Sequence, residues 1–115
     1  MGLRITTLSE NNASKEGLLA EWGLSVLIET GERDILFDTG LSISASRNID
    51  VLGIDTSRID KIVLSHGHYD HTGGLRHILS KMKKNVEIIA HPDIWADKYS
   101  LHPAGQSRYI GIPFK

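Results

Sequence analysis

Four side chains able to hold a metal ion fall within six residues: His66, His68, Asp70 and His71, spaced H-x-H-x-D-H in the stretch SHGHYDHTGG. His66 and His68 are two apart, so in extended backbone their side chains point the same way and can share one ion. Asp70 and His71 lie just beyond, where the chain bends into its next element. They can face the same spot from another side and hold a second ion. Imidazole nitrogens and a carboxylate suit zinc, and they also suit iron or manganese. Two ions roughly 3.5–4 Å apart can clamp a bridging hydroxide and polarise an ester or amide. Zinc-bound water can ionise near pH ~7, so hydroxide is available at neutrality. Gly67, Gly73 and Gly74 supply the backbone freedom a tight turn needs. The chain has no cysteine, which excludes thiolate ligands, disulfides and a cysteine nucleophile. It has no G-x-S-x-G and no phosphate-cradling glycine loop.

The elements around this stretch must place it at a strand-to-helix junction. Leu3–Leu8 alternates and reads as a strand, followed by a polar loop over Ser9–Glu21. Leu24–Thr30 and Asp34–Asp38 read as two more strands, joined at Gly31-Glu32 into an antiparallel hairpin. Ile43–Leu52 is expected to form a short helix, and Ile59–Leu64 a buried strand running directly into the histidines. Leu75, Ile78, Leu79 and Met82 at helical spacing predict a helix over Thr72–Lys84, with Lys81, Lys83 and Lys84 as its solvated end. Val86–Ala90 is another strand, and Pro92 can start a helix to about Tyr99. His102–Lys115 has no clear element. The order implies an α/β fold with a mixed sheet.

At 115 residues the chain supports one small domain, residues 1–115. Its 40% hydrophobic and 23% charged residues are those of an ordinary soluble globular protein. A net charge of −1 offers no electrostatic case for nucleic acid or an acidic membrane. No apolar run approaches the roughly 18 residues of a membrane span. The N-terminus lacks the apolar core of a signal peptide, so the expected location is cytoplasmic.

Ser65-His66-Gly67-His68-Tyr69-Asp70-His71 resembles the signature of the metallo-β-lactamase-fold hydrolases, and Ile35–Gly40 looks like that family's strand-end D-T-G. The resemblance implies the N-terminal half of an αββα sandwich, a mixed β-sheet with flanking helices. It implies that His66 and His68 bind one metal and that Asp70 and His71 bind the other. Asp38 would support the ligands from behind, as outer carboxylates orient metal-binding histidines. Asp70 and Asp38 are thus the expected catalytic carboxylates. Glu21–Ser25, Ala90-His91-Pro92 and Ser107–Pro113 extend the resemblance to one branch, proteins related to the pterin-ring synthase of methanopterin biosynthesis. That branch implies hydrolysis of a small ester or phosphoester by metal-bound hydroxide, or a pterin-linked transfer. Arg108, Tyr109 and His91 are substrate-side candidates by the same resemblance. Glu21 is a further candidate neighbour of the pocket, and Trp22 and Trp95 read as packing residues.

A complete domain of this family is about twice as long, and its second half supplies the remaining ligands. His77, His91 and His102 are weak substitutes: His77 sits on a helix facing elsewhere, and His102 lies in the irregular tail. The expectation is therefore a half-built site and a half-covered sheet. A second copy forming a homodimer, or a separate chain carrying the C-terminal half, would complete both. The remaining alternative is a catalytically incomplete fragment acting through self-association or a partner chain.

Overall fold

The computed structural model describes residues 2–114. Five strands form one mixed sheet in the order β1 (Arg4–Ser9), β2 (Ser25–Glu29), β3 (Asp34–Phe37), β4 (Ile59–Val63) and β5 (Glu87–Ile89). The pairs β1–β2 and β2–β3 are antiparallel, while β3–β4 and β4–β5 are parallel. Parallel neighbours need a crossover, and α1 (Ser44–Leu52) supplies it between β3 and β4.

Strand periodicity sets the two faces. Leu27, Leu36 and Ile62 are register partners on one face, and all three are fully buried. Helix α1 and the later helix α3 (Leu75–Leu79) cover that face through Ala45, Ile49, Leu75 and Ile78. The opposite face is also apolar: Val26, Phe37, Val63 and Ile89 run across it as register partners, beside Ile28 and Ile35. No helix among the described residues lies on it. Ile5 and Ile89 are exposed there and the central residues are half-buried. No helix among the described residues is long and apolar enough to cross a membrane.

Three expected elements differ. The helix over Thr72–Lys84 is two short helices, α2 (Tyr69–Thr72) and α3, with Gly73 and Gly74 between them. Its lysine end is not helical. Lys81 instead pairs with Asp50 of α1, and Lys84 with Asp60 of β4. The helix from Pro92 stops at Trp95 as a single 3-10 turn. The Lys98 ammonium donates to the carbonyls of Asp93, Ile94 and Ala96, closing that turn. The tail also carries structure: β6 (Tyr99–Leu101) pairs antiparallel with β7 (Ser107–Tyr109). This ribbon is short and exposed, so it lacks the apolar alternation that makes a strand visible in sequence.

Candidate metal centre

The site is built where β3 and β4 end side by side. β3 runs out at Asp38-Thr39-Gly40, and β4 runs out at Leu64 into Ser65–His68. Parallel pairing places both C-terminal ends together, and each segment then fastens the other. The Asp38 amide donates to Val63 O at 2.9 Å. The Thr39 amide and hydroxyl both donate to His71 O, each at 2.8 Å. The Gly74 amide donates to Gly40 O at 3.1 Å.

Asp38 is the hub. It is 1% exposed and adopts φ +56°, the sole non-glycine residue in the left-handed region among the described residues. Such a conformation costs about 1–2 kcal/mol, and a short polar side chain that bonds locally offsets it. Asp38 Oδ1 accepts the Ser65 amide at 2.8 Å, and Oδ2 accepts the Ser65 hydroxyl at 2.5 Å. Oδ2 also lies 2.8 Å from His71 Nδ1. The Ser65 hydroxyl lies 2.8 Å from His66 Nδ1.

These bonds fix which imidazole nitrogens are free. Asp38 is a buried acceptor, so His71 Nδ1 carries the proton that it donates. Ser65 gives its single proton to Asp38 and must therefore accept from His66 Nδ1–H. In the neutral rings this leaves Nε2 of both histidines unprotonated, the form that binds a metal. Burial holds the His66 pKa below its ordinary value, and His71 and His68 reinforce the shift.

The four sequence-predicted ligands converge. The His66 ring lies 4.6 Å from that of His68 and 4.2 Å from that of His71, centroid to centroid. His71 Nε2 is 3.7 Å from Asp70 Oδ2. Donor atoms of His66, His68 and Asp70 all lie within 4.8 Å of one another, as do those of Asp38, His66 and His71. His66 belongs to both groups, so the four form one cluster around it rather than two separate pairs. Asp38 already accepts three hydrogen bonds from Ser65 and His71, which suits it to hold ligands rather than to be one. Borderline nitrogen donors with a carboxylate fit zinc, iron or manganese without distinguishing them.

The glycines act by size. Gly73 and Gly74 have ordinary helical torsions. A Cβ on Gly73 would lie 1.9 Å from Leu41 O, and one on Gly74 2.0 Å from Thr39 O. Close approach of the D-T-G backbone, and not left-handed torsion, demands glycine there.

The other candidates scatter. His91 shares a cavity of about 340 Å³ with Ser65, His66 and Lys98, and its Nδ1 accepts the Asp93 amide at 3.0 Å. Arg108 is exposed and stacks on Tyr69 of α2, 5.3 Å from the ring centroid. Tyr109 packs on Tyr99 and donates to Ile112 O at 2.9 Å. His77 and His102 are exposed and lie outside the cluster. Glu21, a candidate pocket neighbour, instead caps α1, accepting the amides of Ile43 and Ser44 and the Ser42 hydroxyl. Trp22, expected to pack, is 66% exposed, whereas Trp95, though 56% exposed, packs edge-on against Phe114 with ring centroids 6.3 Å apart. Sequence reasoning missed Ser65; its one signal was adjacency to His66.

Residues 23–111 match the Metallo-beta-lactamase superfamily, and the chain belongs to it. It is 43% identical over 109 residues to an uncharacterized protein of Methanocaldococcus jannaschii, covering 94% of this chain and 40% of that protein. It is 37% identical over 107 residues to the 7,8-dihydropterin-6-methyl-4-(beta-D-ribofuranosyl)-aminobenzene-5'-phosphate synthase of the same organism, covering 88% and 36%. The crystal structure of a metal-dependent hydrolase of the beta-lactamase superfamily superposes with a TM-score of 0.73 at 32% identity. That match covers 96% of this chain and 37% of the other. The chain thus spans about two fifths of the length of the relatives it matches.

Proposed function

We propose that this chain carries the first half of the metal centre of a hydrolase acting on a small ester or phosphoester. His66, His68, Asp70 and His71 would hold the metal, with zinc favoured over iron or manganese and one or two ions bound. The observation that carries this is the hydrogen-bond path from Asp38 to Nδ1 of His66 and of His71, which in the neutral rings turns Nε2 toward a metal as acceptor. A metal bound there supplies a Lewis acid and lowers the pKa of water. Asp38 and Ser65 keep the imidazoles in the ligating tautomer. Asp70 sits beside His71 Nε2, where its carboxylate can serve as a ligand or take a proton. By the branch resemblance Arg108, Tyr109 and His91 would contact an anionic substrate; what supports this is that Arg108 stacks on Tyr69 next to His68 and that His91 shares a cavity with His66.

Four ligands are few for two ions, and the second sheet face is bare. The remaining ligands and the missing cover therefore come from further polypeptide, either a C-terminal half or a partner copy. The proposed setting is the cytoplasm, with neither nucleic acid nor membrane as partner.

Metal content per chain, measured by elemental analysis on size-resolved protein purified without chelator, tests the reading. One to two zinc, iron or manganese atoms per chain, lost together with esterase activity in His68→Ala, would support it. Full activity in that variant would overturn it. The synthase relative favours a second reading, a pterin-linked transfer at the same centre. Turnover of a pterin pyrophosphate without esterase activity would select that reading.

A further inference from the structure

The metal turn is fastened a second time, by the chain that follows β5. Lys98 immediately precedes β6 and Ile110 immediately follows β7, so the two residues form the base of the ribbon. There the Ile110 amide donates to Lys98 O at 2.8 Å, and Ile110 O accepts the Tyr69 amide at 3.0 Å. Tyr69 lies between His68 and Asp70, so the ribbon base is bonded directly to the ligand stretch. The 3-10 turn Pro92–Trp95 meets the same stretch at Gly67, between His66 and His68. A Cβ on Gly67 would overlap Ile94 O and lie 2.8 Å from Lys98 Nζ. Glycine therefore lets the His66–His68 backbone rest directly on that turn.

Lys98 joins these two contacts. Its carbonyl receives the Ile110 amide, and its ammonium donates to Ala96 O at 2.9 Å, Ile94 O at 3.1 Å and Asp93 O at 3.4 Å. Three donors meet three carbonyls, the full complement of an ammonium. Among the described residues no carboxylate pairs with it. A helical segment of four residues has too few internal bonds to hold its own shape. The last carbonyls of such a turn also lack amide partners. The ammonium satisfies them with charge-assisted bonds, the stronger kind, and so makes the turn a firm support.

We propose that Lys98 is a positioning residue for the metal centre: its ammonium fixes the turn Pro92–Trp95 as a rest for Gly67, and thereby the spacing of His66 and His68. Asp38 acts on the imidazoles through side-chain bonds; Lys98 acts on the backbone that carries them. Groups that hold ligands in place are worth about 10–100-fold in metal affinity. The effect on metal rests on the metal-centre reading, whereas the clamp itself can be read on the metal-free chain.

The test compares Lys98→Met, which keeps the stem and loses the ammonium, with Lys98→Arg, which keeps charge and donors, in the full chain. Hydrogen exchange of the Tyr69 amide is followed by NMR on metal-free protein. Zinc affinity is measured by competition with a chromophoric chelator, and the visible spectrum is recorded on Co(II)-loaded protein. Lys98→Met should speed Tyr69 exchange relative to the amides of β3 and β4, weaken zinc about tenfold or more and shift the Co(II) bands. Lys98→Arg should restore most of each. Gly67→Ala wedges the same contact apart from the side of the histidines; it should weaken zinc in the same direction, and it carries the test if Lys98→Met does not fold. Unchanged zinc affinity in either Lys98→Met or Gly67→Ala would overturn the proposal. So would exchange that speeds equally across β3 and β4 with no rescue by arginine, the mark of a general loss of stability. Selective loosening at Tyr69 with no zinc uptake by the unmodified chain would uphold the clamp and sink the metal-centre reading. Zinc uptake of equal strength in all the variants would do the reverse.

Discussion

The two faces of the sheet are built from the same kinds of residue and have opposite fates. Leu27, Leu36 and Ile62 lie under α1 and α3 and are fully buried, whereas Val26, Ile35, Phe37 and Val63 carry equivalent side chains on a face that no helix covers among the described residues. Alternation along each strand produces both rows, so local sequence has no means of telling them apart. The metal turn does not depend on which face is covered. It is held by strand ends, through backbone and side-chain bonds among Asp38, Thr39, Ser65 and His71. A half-covered sheet can therefore present a well-ordered ligand cluster.

The largest expected effect sets the faces against each other. Leu36→Ala opens a cavity in the covered core and should cost about 2–5 kcal/mol in urea unfolding. Ile35→Ala, one residue away on the bare face, should cost clearly less, because its side chain already meets solvent. Equal costs would mean that the bare face is packed in solution, most simply against a second copy, and sedimentation would then show a dimer.

Next in size is the seam between the strand ends. Gly74→Ala drives a methyl group into Thr39 O and should destabilise by more than about 1 kcal/mol, the range for overpacking. Gly53→Ala sets the scale for strain alone: Gly53 is left-handed, but no atom lies within 4 Å of its added Cβ. It should cost about 1–2 kcal/mol. A Gly74→Ala cost below that of Gly53→Ala would show that the seam yields.

A smaller effect separates holding a ligand from being one. Asp38→Asn keeps the shape and loses the charge that orients Ser65 and His71, so zinc affinity should fall about 10–100-fold. Asp70→Asn, at a candidate ligand, should fall further. The reverse order would make Asp38 itself the ligand.

The smallest is a pH effect on the metal-free chain. The folded state holds His66 neutral, with its pKa below the ordinary 6.5. Between those two values the unfolded chain binds a proton that the folded chain does not. Stability contributed at higher pH is therefore lost as pH falls from about 6.5 toward the folded value. His66→Gln should flatten that slope in chelator-treated protein; an unchanged slope would assign it to another group.

The sequence alone named the four side chains that the fold brings into one cluster. H-x-H-x-D-H uses residue types whose donors can hardly serve another purpose at that spacing, and the flanking apolar runs required a strand before it. It also indicated the hairpin, α1 and the buried strand β4, because alternation and turn residues act over a few positions. Tertiary structure decided the rest. Gly73 and Gly74 split the expected long helix because the D-T-G backbone, more than thirty residues earlier in the chain, passes against them. Glu21 became a helix cap, and Trp22 a wall beside Asp70, because the loop before β2 crosses the ends of α1 and α2. Ser65 joined Asp38 to His66 only once two parallel strands ended side by side. Spacing along a chain reports which groups are near in sequence; a hydrogen bond or a steric contact needs the distance in space, and strand pairing sets that distance.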